Sequence, residues 1–131
     1  MQYILSAYKK EYPLSVNMGN HLALGETLVN VFGDDLIIET FGTYQGVQER
    51  GYMLTINDGF YTSKEIADEI LAIAVEYSQE CILEIDQLYQ ATLVFNNGSF
   101  EFIGHWVQVE SLDRNTDYSV INGKYYTVKG L

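Results

Sequence analysis

Apolar and polar positions divide the chain into short runs, each closed by a turn-forming residue. Tyr3 to Tyr8 is mostly apolar and predicts a first, central strand. Lys9 to Leu14 follows as a loop around Pro13, the single proline. Met18, Leu22, Gly25, Val29 and Phe32, joined by Leu28, recur at helical spacing on one face. A helix is therefore expected from Met18 to Phe32, with Asn17 as N-cap and Gly33 as its stop. Leu36 to Phe41 predicts a second strand and Gly51 to Asn57 a third. Asp58-Gly59 is a turn signal, and Thr62 with Glu65 forms a capping box. The helix behind it runs to about Gln79, with Ile66, Ile70, Ile73 and Tyr77 on its buried face.

The last third of the chain reads as strands. Cys81 to Ile85 opens it, then Ala91 to Phe95 and Ser99 to Ile103 flank Asn96-Asn97-Gly98 as a hairpin, which Trp106 to Val109 extends. Tyr118 to Ile121 and Lys124 to Val128 flank Asn122-Gly123, the strongest short-range hairpin signal present. The first six elements run strand, helix, strand, strand, helix, strand. That order predicts an α+β, ferredoxin-like βαββαβ fold: an antiparallel sheet with two helices on one face, plus a C-terminal β-hairpin extension. The other sheet face then needs a cover, from the C-terminal hairpins or from another subunit.

Composition narrows this picture. A length of 131 residues, 47% of them hydrophobic, suits one domain over 1–131 with one core. No apolar run is long enough for a transmembrane helix. The N-terminus enters a strand pattern without the basic region and cleavage site of a signal peptide, and the single cysteine excludes an internal disulfide framework. A cytoplasmic protein is expected. The formal charge of -11 argues against a nucleic-acid ligand, because phosphate contacts need Lys and Arg. An acidic protein of this kind can attract a cationic small molecule, or act as a DNA mimic that occupies a DNA-binding protein.

Chemistry concentrates between residues 42 and 54. Three glycines, Gly42, Gly46 and Gly51, stand there beside Tyr44, Tyr52 and Glu49. Glycines allow a ligand close to the backbone, and a Tyr and a Glu can serve a small polar substrate as donor and acceptor. No metal constellation is evident: His21 and His105 lack ligand spacing, and Cys81 stands alone as a small buried hydrophobe. No cofactor motif is found either.

Three blocks resemble the phage-encoded S-adenosylmethionine lyases, long called S-adenosylmethionine hydrolases. The first is Leu5-Ser6-Ala7-Tyr8 followed by Val16-Asn17-Met18 and His21. The second is Gly42-Thr43-Tyr44 with Glu49 downstream. The third runs from Ala74 through Gln79 to Leu83, leading into the strand that ends at Val94. Order and spacing agree over residues 3 to 95. The resemblance implies cleavage of S-adenosylmethionine to 5′-methylthioadenosine and homoserine lactone, with no cofactor. It implies a homotrimer with sites at subunit interfaces, and a phage antirestriction role through removal of the methyl donor. It places catalytic roles on Tyr44 and Glu49, and substrate-binding roles on Gln79, Asn17 and Gly46. The segment between Tyr44 and Glu49 is shorter than the family pattern, so Tyr52 stands as the alternative tyrosine. The rival readings are true hydrolysis to homoserine, an acidic DNA mimic, and a ferredoxin-like module that binds an adenine nucleotide without chemistry.

Overall fold

A computed structural model of the chain describes residues 1–44, 46–56, 63–112 and 117–130. Strand β1 (Gln2–Ser6) leads into helix α1 (Leu14–Phe32), then a short 3-10 turn, β2 (Ile37–Tyr44) and β3 (Val47–Thr55). Helix α2 (Ser63–Glu76) follows, then β4 (Cys81–Ile85), β5 (Gln90–Phe95), β6 (Phe100–Val109), β7 (Tyr118–Ile121) and β8 (Lys124–Lys129). The Asp58-Gly59 turn and Thr62 of the capping box lie outside the described residues, while Glu65 sits in the first turn of α2.

All strand pairs are antiparallel, and the sheet closes on itself in the order β1-β3-β2-β7-β8-β6-β5-β4. The open ferredoxin-like sheet expected from the sequence is therefore incorrect: the fold is an eight-stranded antiparallel barrel with two helices outside it. The element order led to the open sheet because β4, β1, β3 and β2 do lie side by side. Such a sheet leaves β2 and β4 with unpaired backbone N–H and C=O groups. Here the C-terminal strands fill those edges. β7 pairs with β2 through Phe41–Val120, and β5 pairs with β4 through Ile82–Val94. β6 and β8 then join, with Trp106 opposite Val128. The face that needed a cover becomes the barrel interior.

Local chemistry accounts for the turns. Tyr44 pairs with Val47, and Gly46 at φ 80° supplies the positive dihedral that a tight hairpin requires. The Gly42-to-Leu54 stretch is thus the heart of one hairpin rather than a loop between strands. Asn122 and Gly123, at φ 52° and 75°, make the β7–β8 turn. The two expected strands Ser99–Ile103 and Trp106–Val109 form a single strand, Phe100–Val109, with a register shift against β5 near Ala91 and Thr92. The approach of β2 to β7 is so close that a Cβ at Gly42 would run into the Tyr118 carbonyl.

Helix α1 starts earlier than expected. Pro13 precedes its first residue, and the Pro13 carbonyl accepts from the backbone N–H of Val16 and Asn17. Asn17 is consequently a residue of the first helical turn and not the N-cap. Its side chain turns back to the preceding loop. Oδ1 accepts from Lys9 N at 2.9 Å and Nδ2 donates to Lys9 O at 3.0 Å. The stripe of Met18, Leu22 and Val29 faces solvent; the buried face carries Asn17, His21, Leu24 and Leu28.

Two apolar clusters result. One lies between the barrel wall and the helices and includes Tyr3, Leu5, Leu24, Leu28, Tyr52, Leu54, Ile66, Ile70, Ile73 and Ile82. The expected face of α2 is in it, with Tyr77 partly buried. Truncating a fully buried residue here, such as Ile70 to Ala, removes about 2–5 kcal/mol of stability. The other cluster, Met53, Ile85, Trp106 and Ile121, fills the inside of the barrel. Strand alternation explains the split: Leu54 and Tyr52 point to the helices, and Met53 between them points inward. Among the described residues no helix is long and apolar enough to cross a membrane.

Candidate active site

The barrel holds a cavity of about 490 Å³. Sites for small molecules fall in this range. Inward-facing positions build its wall. On β2 they are Thr40, Gly42 and Tyr44; on β3, Glu49 and Gly51; on β4, Cys81 and Leu83. Residues at the β2–β3 hairpin end, the start of β4 and the approach to β7 give it a polar side: Tyr44, Glu49, Gln79, Cys81 and Asp117. Ile4, Leu83, Leu93, Ile103, Trp106, Tyr126 and Val128 give it an apolar side. Trp106 and Tyr126 stack there with ring centroids 5.4 Å apart and planes at 6°. Met53, Ile85 and Ile121 pack with Trp106 but do not line the cavity, so they seal its far end.

The electrostatics favour a positive ligand. Among the described residues no Lys, Arg or His lines the cavity, whereas Glu49 and Asp117 do. Burial pushes the Glu49 carboxyl up to about 7, and the negative charge of Asp117 adds to the effect. Burial also raises Tyr44, with further contributions from Cys81, Asp117 and Glu49. The Cys81 thiol is raised by burial, then by Glu80 and Glu49. Burial first, and acidic neighbours second, hold all three groups toward their protonated forms. A ligand that carries a cation relieves the strain on Glu49.

Two backbone devices hold the polar side in place. Ser6 Oγ donates to the Arg50 carbonyl at 2.6 Å and accepts from Tyr8 N at 3.0 Å. It thereby ties the end of β1 to β3 beside Glu49. Helix α2 ends at Glu76, and Ser78 just beyond it adopts φ 60°. Gln79 N donates to Ala74 O and Ser78 N to Val75 O, the paired bonds of a left-handed helix stop. The reversal brings Gln79 to the cavity, where its Nε2 donates to Tyr8 O at 3.1 Å.

Of the sequence-derived candidates, Tyr44, Glu49 and Gln79 come together on the cavity wall. Tyr52 does not. It is buried on the opposite face, its hydroxyl donates to His21 O at 2.9 Å, and its ring stacks on His21 at 4.4 Å. Burial and Glu39 push its phenol up to about 12. His21 is buried too, with Nε2 2.8 Å from Glu39 Oε1, and serves packing. Asn17 holds the β1–α1 loop, and Gly46 is exposed in the hairpin turn; neither lines the cavity. Cys81 is only half-buried and does line it. Sequence reasoning missed Ser6, Asp117, Trp106 and Tyr126. Strand alternation carried a signal for Trp106 and Tyr126, but only once β6 and β8 are known to face one interior. Asp117 carried none.

An antiparallel barrel around a cavity lined by carboxylates and aromatic rings suits a small, positively charged molecule. The sequence model of the S-adenosylmethionine lyase family matches residues 3–129, and the chain belongs to that family. It is an enzyme with S-adenosylmethionine lyase activity. A comparison with curated proteins found no match.

Proposed function

We propose that the barrel cavity binds S-adenosylmethionine and converts it to 5′-methylthioadenosine and homoserine lactone. The observation that carries this reading is Glu49: a partly buried carboxylate on the cavity wall, raised to about 7, with Tyr44 on the same wall. The substrate brings two positive centres, an ammonium and a sulfonium. Glu49 pairs with the ammonium. Tyr44 hydrogen-bonds the substrate carboxylate and orients it. That carboxylate attacks Cγ, a C–O bond forms, the C–S bond breaks, and its electron pair stays on sulfur as the neutral thioether. No proton has to move. Holding the reactive conformer is worth about 7–11 kcal/mol in well-oriented intramolecular reactions. The step annihilates charge, so a dry apolar wall favours the transition state over the separated ions.

Hydrolysis is the second reading, favoured by the same residue. A carboxylate poised near 7 is tuned to act as a general base on water. Oxygen-18 water separates the two. A lyase releases unlabelled lactone first, and later opening puts label in the carboxylate. Immediate homoserine labelled at its side-chain hydroxyl would replace the lyase reaction with hydrolysis. Release of neither methylthioadenosine nor a homoserine product from purified protein would overturn both.

Assembly as a homotrimer and a role in phage antirestriction, by depletion of the host's methyl donor, belong to the same proposal. The apolar stripe on α1, with Leu14 65% and Leu22 64% exposed, supports association. Light scattering that gave a stable single chain at micromolar concentration would refute it.

A further inference from the structure

Strand β1 ends at Ser6, opposite Gly51 of β3. Glu49 lies two positions further along β3, so it has no β1 residue beside it, and Gly42 of β2 flanks it on the other side. Where β1 leaves the barrel its backbone groups lose their ladder partners and need others. Side chains supply them. Ser6 Oγ accepts from Tyr8 N, Gln79 Nε2 donates to Tyr8 O, and Asn17 engages both backbone groups of Lys9. Ser6 Oγ also donates to Arg50 O, one residue from Glu49. We infer that Ser6 is a positioning residue: its hydroxyl fastens the part of β3 that carries Glu49 to the Tyr8 backbone, and through it to Gln79. The consequence for turnover rests on the proposed reaction.

Three observations support this role. Ser6 lines the cavity, yet its hydroxyl is engaged twice with backbone, so it acts through its neighbours. Ser6 is only 9% exposed, so water competes little for those bonds. The two strands also approach so closely that a Cβ on Gly51 would run into the Leu5 carbonyl, which gives Ser6 a fixed post from which to reach Arg50. Loss of the hydroxyl leaves Arg50 O and Tyr8 N without their partner. The β2–β3 hairpin is then free to lean away from β1, and water reaches Glu49. Burial is the main force that holds its carboxyl up, with Asp117 second, so the carboxyl drops toward its ordinary range. Tyr44 on β2 and Cys81 on β4 are the titratable groups that feel Glu49 in turn.

The test compares Ser6→Ala with Ser6→Thr, which keeps the hydroxyl. Carbon-13 NMR of labelled glutamate carboxyls, with Glu49 assigned through Glu49→Gln, follows the titration without any need for turnover. In Ser6→Ala the Glu49 carboxyl should titrate at lower pH than in the wild type, and Ser6→Thr should bring it back. Turnover of S-adenosylmethionine should fall at least about tenfold in Ser6→Ala, since small misplacements of a reacting geometry cost that much, and should recover in part in Ser6→Thr. In a Glu49→Gln background the Ser6→Ala change should cost less than about twofold, because effects that run through one residue do not add. Should Ser6→Ala not fold, Ser6→Cys, close in shape but a weak donor, carries the same comparison. A lower melting temperature with Glu49 titration and turnover unmoved would overturn the inference while sparing the lyase. Equal losses of turnover in the two backgrounds would overturn it as well. A shifted titration in a protein that releases no methylthioadenosine would uphold the positioning role and overturn the lyase reading instead. An unmoved titration without turnover would overturn the two together.

Discussion

Glu49 should make the empty protein less stable than it needs to be, and removing its charge should reveal by how much. In the folded chain its carboxyl is raised from 4.5 to about 7. Between those values the native state keeps a proton that the unfolded state has lost. The native state is therefore favoured in acid, and that contribution disappears as pH rises through 7. Above 7 the charged, partly desolvated carboxylate carries its full cost. The shift converts to about 3 kcal/mol at most, and residual solvent contact reduces it to about 1–3 kcal/mol. Glu49→Gln keeps the shape and removes the charge. Urea unfolding of both proteins at about pH 4.5, 6, 7 and 8 tests this. The variant should match the wild type at the acid end and exceed it by about 1–3 kcal/mol at about pH 8. Taking the difference between the two cancels Glu84, whose carboxyl is also raised by burial and by Asp86. The same variant should lose at least about tenfold in turnover, since a charged hydrogen bond is worth about 1.5–3 kcal/mol. A stability difference that does not change with pH, or a variant less stable than wild type at about pH 8, would refute the reasoning.

Binding should follow the same titration. KM for S-adenosylmethionine should rise as pH falls below about 7, approaching tenfold per pH unit, because only ionised Glu49 pairs with a cation; a flat KM from about pH 5.5 to 8 would remove Glu49 from the site. Tyr44→Phe should lower kcat, whereas Tyr52→Phe should keep kcat and lose about 1 kcal/mol in a denaturant melt, since its hydroxyl bonds His21 O behind the barrel wall; the opposite pattern would exchange their roles. Ser78→Gly should stabilise the fold by about 1 kcal/mol, because glycine accepts φ 60° without a Cβ clash. A lower melting temperature for that variant would show that Ser78 is not strained.

The sequence carried the elements better than their closure. Strands, helices and the Asn122-Gly123 turn are local signals, and the elements lie near where their patterns put them, but α1 starts earlier and buries a different face from the one its pattern marked. Barrel closure is not local. Nothing near Phe41 announces Val120 as its partner, and a free edge looks the same on paper as a paired one. Asn17 shows a different failure. Its side chain suits an N-cap, but Pro13, four residues earlier, starts the helix, and Asn17 serves the loop instead. The tyrosine ambiguity could have been resolved from parity alone. Once Val47–Thr55 is one strand, Glu49 and Tyr52 differ by an odd number of positions and must face opposite ways, whereas Tyr44 opposes Val47 and shares the face of Glu49. Reading residues 42 to 54 as a special loop hid that rule.

Closure also sets when the enzyme can begin to work. β8 is the strand that joins β6 to β7, and Tyr126, Thr127 and Val128 line the cavity. A growing chain that has emerged only as far as Ile121 has two ragged edges and no enclosed space. Pairings this distant in sequence form slowly and late, typically over milliseconds to seconds. With the substrate site proposed in that space, partial synthesis should yield no partial activity. The methyl donor that every cell depends on stays untouched by a nascent chain, and consumption starts abruptly, once the last staves are in and the vessel holds.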